Sequence, residues 1–516
     1  MIDPRRTTSA QWAHHWLGID VGSDIALANA VAREILEAGL EDRTFIERAT
    51  SGFDAYRESV EPWTLERGAE VTGVLPEEIR RLAHAYARAG RAQLCWTLGI
   101  TEHHNATDNV FALINLALLT GHVGRYGSGV CPLRGQNNVQ GGGDMGAIPN
   151  KLPGFQDVES AATRAKFERA WGVKIPARRG WHISQMFEAM EEGKLKTLFV
   201  VGENPAQSEA DAKKTRRLLE GLDHMVVQDI FSTKTAEMAD VVLPAAAGWA
   251  ETDGTVTSSE RRRRRSIFST IKEADVIYVL HQGRIVQRVR KALEPPGEAR
   301  DDLLILAALA RRLGHEWGEP RAEEVWDELR SLSPIHAGMR YARLEEMGGI
   351  QWPCPDENHP GTLFLHERLW AEPREGPPAP FFPVEYAPPV DELTDEYPIR
   401  LTTGRCLDSF NTGVQSGRYT APIRRGGCVE LSPEDADSLG VAPGERVRVT
   451  SRRGSVEGPV WIDPGLRPGL AFMTLHFPEE VDTNLLTIDA WDPKSGTAEF
   501  KASAVRIDKL EPALAG

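Results

Sequence analysis

Residues 195–244 read LKTLFVVGENPAQSEADAKKTRRLLEGLDHMVVQDIFSTKTAEMADVVLP, and the pattern of this stretch decides the fold class. Residues 195–201, 225–228 and 240–244 are short apolar runs of the kind that form buried strands. Between the first two, residues 210–221 read as a helix. Alternation of strand, loop and helix predicts a parallel sheet, and ligands of such sheets bind where the strands end. GENP and QDIF stand at two such ends. Gly202, Glu203, Asn204, Gln228 and Asp229 are therefore candidate ligand contacts.

The first 95 or so residues also read as α/β, with helices at 24–38 and 76–89 and a buried strand at 92–98. Residues 108–120, DNVFALINLALLT, predict a strongly apolar helix that stops at Gly121. Residues 121–153 are rich in Gly and Asn, which suits backbone passing close to a ligand or through tight turns. A further helix is expected at 299–313. Residues 373–398 are rich in Pro and acidic side chains and read as an interdomain linker. From 399 onward, short alternating runs punctuated by Gly and Pro predict a small β-barrel. The expected division is an α/β domain at 1–134, a second at 135–255, a connecting segment at 256–396 and the barrel at 397–516.

The chain has 516 residues, with 60 Lys+Arg against 75 Asp+Glu and a formal charge of −15, so it lacks the basic footprint of a general nucleic-acid binder. No apolar run approaches the ~18 residues of a membrane-spanning helix. The start, MIDPRRTTSA, lacks the apolar stretch of a secretory signal. Cys95, Cys131, Cys354, Cys406 and Cys428 are scattered, with no CxxC pair to suggest zinc or an iron–sulfur cluster. A reducing cytoplasm is the expected setting.

Residues 127–155, GSGVCPLRGQNNVQGGGDMGAIPNKLPGF, resemble a signature of formate dehydrogenase alpha subunits, which are molybdopterin oxidoreductases carrying a bis-guanine-dinucleotide (bis-MGD) cofactor. IDPRRT at 2–7, LGITEHHNATDNV at 98–110, VGENPAQSEAD at 201–211, QDIFSTKTAEMADVVLP at 228–244 and LTTGRCLDSFNTG at 401–413 resemble the same family in the same order. HFPEEVDTNLLT and DPKSGTAEFKASAVR continue the resemblance near the end, so it covers nearly the whole chain. It implies Rossmann-like parallel-sheet domains, incomplete here, and a cofactor-binding barrel of double-psi type.

Two departures stand beside the match. Family members begin with an iron–sulfur module of four cysteines and then a segment bearing the molybdenum ligand, a Cys or selenocysteine next to a His. Here Ile2–Arg5 resembles a strand end well inside such a protein, and none of the five cysteines has a matching context. The expectation is that the chain corresponds to the C-terminal portion of the enzyme. The 4Fe–4S cluster and the metal ligand would lie in a missing N-terminal part, and the chain alone would be inactive. Second, residues 263–285 interrupt the family pattern with 23 extra residues, and residues 269–286 resemble a segment of ABC-transporter ATPases. With no GxxxxGK(S/T) loop in the chain, this insert is expected to be inert toward ATP. The arginine run at 261–265 reads as a solvated junction or a docking site for an acidic partner.

The resemblance assigns Arg134 to the substrate. Arginine suits a small carboxylate because its planar fork binds both oxygens and keeps its charge. Gln136 and Asn137 would contact cofactor or substrate by amide hydrogen bonds. Asp3, Glu203, Asn204, Asp229 and Asp253 would recognise guanine and pyrophosphate, as would Gly202 and Gln228. Gly99 and Glu102 belong to the matching ITEHHN segment. Thr403, Gly404, Arg405, Ser409, Asn411 and Thr412 form a barrel loop that the family uses on cofactor phosphate and pterin, and Asn484, Phe500 and Lys501 lie in the late segments. His103 and His104, being adjacent, would point in opposite directions on an extended segment and are expected to be structural. Expected partners are formate, the missing N-terminal portion and electron-transfer subunits, with molybdenum or tungsten as the metal. A non-catalytic pterin-binding or assembly protein and a reductase of another oxyanion are the alternatives.

Overall fold

The computed structural model describes residues 1–258, 283–406, 409, 411–412 and 426–510. Its first layer is built on helix α1 (Asp24–Glu37), where Ala26, Ala28, Ala30 and Ala32 are all buried. Alanine lets neighbouring backbones come close: a Cβ at Gly68 would lie 2.6 Å from that of Ala30. Gly39, with φ of 63°, takes the left-handed position that ends the helix. Helix α2 (Pro76–Arg88) opens on proline, whose missing N–H and fixed φ suit a first turn. Helix α3 (Ala106–Leu119) buries Ala112, Leu116, Leu118 and Leu119 against the same core as α1. The helices expected at 24–38 and 76–89 and the strand expected at 92–98 are all present. Before residue 93 the only described strand is the two-residue Thr50–Ser51, because the apolar residues here recur at helical rather than alternating spacing.

Strands β1 (Gln93–Trp96) and β2 (Gly129–Pro132) pair in parallel on either side of α3. The second parallel sheet has β3 (Thr197–Val201), helix α4 (Ala212–Glu220), β4 (His224–Asp229) and β5 (Val241–Pro244), with strand order β3-β4-β5. Its core holds Val200, Leu219, Met225 and Val227. Antiparallel β6 (Gly254–Ser258), β7 (Ile285–Val289) and β8 (Ile350–Gln351) follow, with helix α5 (Asp302–Arg312) between the last two. Ile285, the last residue of the expected insert, opens β7, whereas residues 263–282 and the arginine run lie outside the described residues.

The Pro-rich segment is not the solvated spacer its composition suggests. Phe381 and Val384 are buried in the first core, where Phe381 stacks on Tyr56 at 4.8 Å. The Asn115 amide donates to the Phe382 carbonyl at 2.7 Å. Farther along, buried Asp391 accepts from Arg453 at 2.6 Å and from the Ala504 amide at 2.8 Å, both in the C-terminal region. The segment thus clasps the first core to the barrel.

That barrel is closed, from β9 (Ile399–Gly404), β10 (Val429–Leu431), β11 (Arg446–Thr450), β12 (Ser455–Ile462), β13 (Leu470–Thr474) and β14 (Ser503–Lys509), in the order β9-β13-β10-β12-β11-β14. Two of its pairings are parallel and four antiparallel. Alternation sets its interior: Val447 and Val449 are buried while Arg446 and Arg448 are exposed.

Candidate functional site

The carboxyl ends of β1, β3 and β4, the N-terminal segment and the mouth of the barrel enclose a cavity of about 890 Å³. Seventeen of the twenty cofactor contacts expected from the sequence line it: Asp3, Gly99, Glu102, Gln136, Gly202, Glu203, Asn204, Gln228, Asp229, Thr403, Gly404, Arg405, Asn411, Thr412, Asn484, Phe500 and Lys501. Asn137, Asp253 and Ser409 lie outside the lining, as does Arg134, an exposed residue next to the lining residue Gly135. Asp253 instead accepts from the Lys291 amide at 3.2 Å.

Each wall has a local cause. Arg5 stacks over the Phe472 ring at 3.5 Å and pairs with Glu430 at 2.7 Å, which pins the N-terminal segment to the barrel and sets Asp3 at the cavity. The Gln136 amide donates to Asn411 at 2.9 Å, joining the Gly-rich loop to the barrel mouth. Gln207 donates to the Thr412 carbonyl at 2.6 Å, and Asn484 donates to the Gln207 carbonyl at 2.9 Å, so the GENP turn is sewn to the barrel as well. Asn204 is spent on structure: its oxygen accepts from the Thr235 hydroxyl at 2.8 Å and its amide donates to Gln207 at 3.0 Å. Lys501 bridges Glu102 at 2.8 Å and the Thr403 carbonyl at 2.9 Å.

His103 and His104 do not diverge. The chain turns there, and both imidazoles meet the Glu499 carboxylate, at 3.2 and 3.4 Å. Glu499 and His103 are both buried. Burial alone would push the Glu499 carboxyl up, but the His103 charge and hydrogen bonds from both histidines outweigh it and hold it well below the usual carboxylate range. Burial opposes charge on His103 too, yet Glu499 and then Asp24 raise its pKa. The cluster ties the segment that carries Glu102 to the one that carries Phe500 and Lys501.

The cavity itself is rich in unmet polar capacity. Gln228 donates to Asp302 at 2.5 Å, while its buried carbonyl oxygen has no hydrogen-bond partner. Burial raises the Asp3 carboxyl, and burial raises Asp229 with help from nearby Glu203 and Asp302. Glu209, pushed up to about 7 by burial and then by Glu203, joins them on the wall. Asp3 and Asp229 each accept a backbone N–H, from Arg5 at 2.9 Å and Phe231 at 3.2 Å, and a ligand bearing amino and ring N–H groups would supply further donors. Gly202, with φ of 63° and no atom within 4 Å of a Cβ position, leaves backbone open to a close-lying ligand. Arg405 and Lys501 add the positive charge that phosphates require.

The sequence reading missed Glu209, Phe231, Thr233, Asp302 and Thr402 on the lining. Glu209 and Thr402 lie inside stretches already singled out, but Asp302 opens a helix 74 positions beyond its partner Gln228 and carries no local signal. All five cysteines are described and none lines the cavity. No cluster of metal-ligating side chains occurs among the described residues, and no helix of the described residues is long and apolar enough to cross a membrane.

Two family descriptions match the chain: "Molybdopterin oxidoreductase" over residues 1–312 and "Molydopterin dinucleotide binding domain" over residues 399–504. The F420-dependent formate dehydrogenase 2 subunit alpha of Methanococcus maripaludis is 40% identical over 514 residues, covering 99% of this chain and 71% of that one. Formate dehydrogenase H of Escherichia coli is 35% identical over 516 residues, covering 99% and 68%. Among solved structures, acetylene hydratase from Pelobacter acetylenicus shares the fold, with a TM-score of 0.70 at 21% identity over 99% of this chain and 73% of the other. The chain belongs to the molybdopterin oxidoreductase family, and the relatives that match 99% of it include formate dehydrogenase alpha subunits.

Proposed function

We propose that this molybdopterin oxidoreductase oxidises formate to carbon dioxide, with the 890 Å³ cavity holding a bis-MGD cofactor. The observation that carries the reading is the convergence of seventeen residues, chosen from sequence alone, on one cavity whose orphaned Gln228 oxygen and burial-raised carboxyls suit guanine and pterin N–H groups. When bound, the molybdenum– or tungsten–pterin group accepts the two electrons released as formate becomes carbon dioxide and a proton.

This chain's own residues bind and orient. Asp3, Asp229 and the Gln228 oxygen would accept from guanine and pterin nitrogens, and Arg405 and Lys501 would face the phosphates. Arg134 would hold formate by its two oxygens: it stands next to Gly135 on the cavity wall, at the end of β2. With no cysteine on that wall, a thiolate or selenolate ligand to the metal would come from additional polypeptide, as would any 4Fe–4S cluster. Electron-transfer subunits would take the electrons onward.

Formate-dependent reduction of a viologen dye by the holoenzyme tests this reading. Arg134→Ala should lower kcat/KM for formate by about 100-fold or more, as loss of a charged donor at a reacting oxygen does, with Arg134→Lys in between. Unchanged formate kinetics in Arg134→Ala would refute the assignment of that residue. No formate turnover by an enzyme with full cofactor content would refute the substrate.

A further inference from the structure

We propose that Cys95 and Cys131 form a dithiol modification site, oxidised to an intrachain disulfide by low-molecular-weight disulfides such as glutathione disulfide. The inference rests on strand register and does not depend on the substrate assigned above. Cys95 and Cys131 are direct partners in the parallel pairing of β1 and β2, so their side chains leave the same face of the two-stranded sheet. Neighbouring strands lie about 4.8 Å apart, inside the roughly 4.4–6.8 Å between Cα atoms that a disulfide spans. Both thiols are free and hydrogen-bond to one another.

The two sulfurs also differ in the way an attacking and a resolving thiol must. Cys95 is exposed, and the hydrogen bond from Cys131, working against burial, pulls its pKa down to about 7. Near neutral pH a large share of it is thiolate, the reactive form. Cys131 is buried and pushed up by its bond to Cys95 and by burial, so it is inert until a sulfur beside it becomes electrophilic. In the first step the Cys95 thiolate attacks one sulfur of glutathione disulfide, forms a mixed disulfide and expels one glutathione thiolate. In the second, that thiolate or water takes the Cys131 proton. Cys131 then attacks the Cys95 sulfur and expels a second glutathione thiolate. Two protein thiols lose two electrons, glutathione disulfide gains them, and the two thiol protons end on the released glutathione.

The site's position gives it reach. Two residues past Cys95, Thr97 lines the cavity, and three residues past Cys131 stands Arg134. A covalent tie at this level would fix the two strand ends that frame one cavity wall.

The test uses the full-length protein, reduced, desalted anaerobically and exposed to glutathione disulfide at pH 7.5, with digestion under non-reducing conditions and mass spectrometry. The expected product is a linked peptide pair carrying Cys95 and Cys131, lighter by two hydrogens than the reduced pair, reversed by dithiothreitol. Cys131→Ser should instead accumulate a glutathione adduct on Cys95, and Cys95→Ser should leave Cys131 unmodified. Should either variant fail to fold, alkylation of the wild-type protein serves: Cys95 should react with iodoacetamide at least 10-fold faster than Cys131, with a rate that rises through about pH 7. A stable glutathione adduct on wild-type Cys95 without the link, equal labelling of the two cysteines, or no reaction at Cys95 would overturn the proposal.

Discussion

The barrel and the β3-β4-β5 sheet both face the cavity, yet they are stabilised in different ways. The barrel closes on itself, so every strand is paired on both edges, and Leu401, Val429, Leu431, Val447, Val449, Ala471, Met473 and Val505 are fully buried inside it. The three-stranded sheet ends on β3 and β5, and Phe199, Val201, Val241 and Val242 remain between 36% and 47% exposed. Its parallel strands supply Gly202, Glu203, Gln228 and Asp229 to the cavity, while the barrel supplies Thr403, Gly404 and Arg405. One wall of the site is thus carried by a self-sufficient core and the other by a sheet whose apolar surface is only partly covered.

The seam between the two halves should be the most sensitive place. Glu499→Ala removes the carboxylate that His103 and His104 share and leaves His103 buried beside Asp24, so a loss of about 3–5 kcal/mol is expected by urea denaturation. The Glu499 carboxyl is depressed in the folded state, so its contribution is present above its ordinary value of 4.5 and is lost as pH falls through the folded value. Stability of the wild-type protein should therefore decline more steeply in acid than that of Glu499→Ala. An equal decline would remove the cluster from the account.

Inside the barrel, Leu431→Ala should cost about 2–5 kcal/mol in the same denaturation, the usual range for opening a cavity in a close-packed core. On the cavity wall the effect should be on binding rather than folding. Asp3, Asp229 and Glu209 have raised carboxyls, and a ligand that donates to them prefers the ionised form. Affinity for a guanine nucleotide probe such as guanosine diphosphate, measured by calorimetry, should fall as pH drops below about 7, with protons released on binding across the pH range of the fall. A pH-independent affinity would separate these carboxyls from the ligand. The smallest effect belongs to the open sheet: Val242→Thr, on its exposed face, should stay within about 0.5 kcal/mol. A cost comparable to that of Leu431→Ala would show that this face is covered in the protein in solution.

Much of this was legible before the fold. The α/β alternation of 195–244 and the alternating runs after 399 are local patterns, and both became the expected sheet and barrel. Helices at 24–37, 76–88 and 106–119 followed from spacing and their terminal Pro and Gly. What escaped was decided by distant contacts. Composition made residues 373–398 look like a linker, but Phe381 packs on distant Tyr56, and buried Asp391 accepts from the Ala504 amide 113 positions away. The pairing of both histidines with Glu499 depends on a turn and on a residue 395 positions away. Family order brought the cavity residues together in prospect, whereas Asp302 had only its three-dimensional neighbour Gln228 to mark it.

The most direct test is chemical. The protein, purified anaerobically from its native host and acid-hydrolysed, should release guanosine monophosphate. The amount should fall several-fold in a variant combining Asp229→Ala and Gln228→Leu that still folds. Absence of guanine nucleotide from the wild-type protein, or equal release from the variant, would contradict the assignment of this cavity.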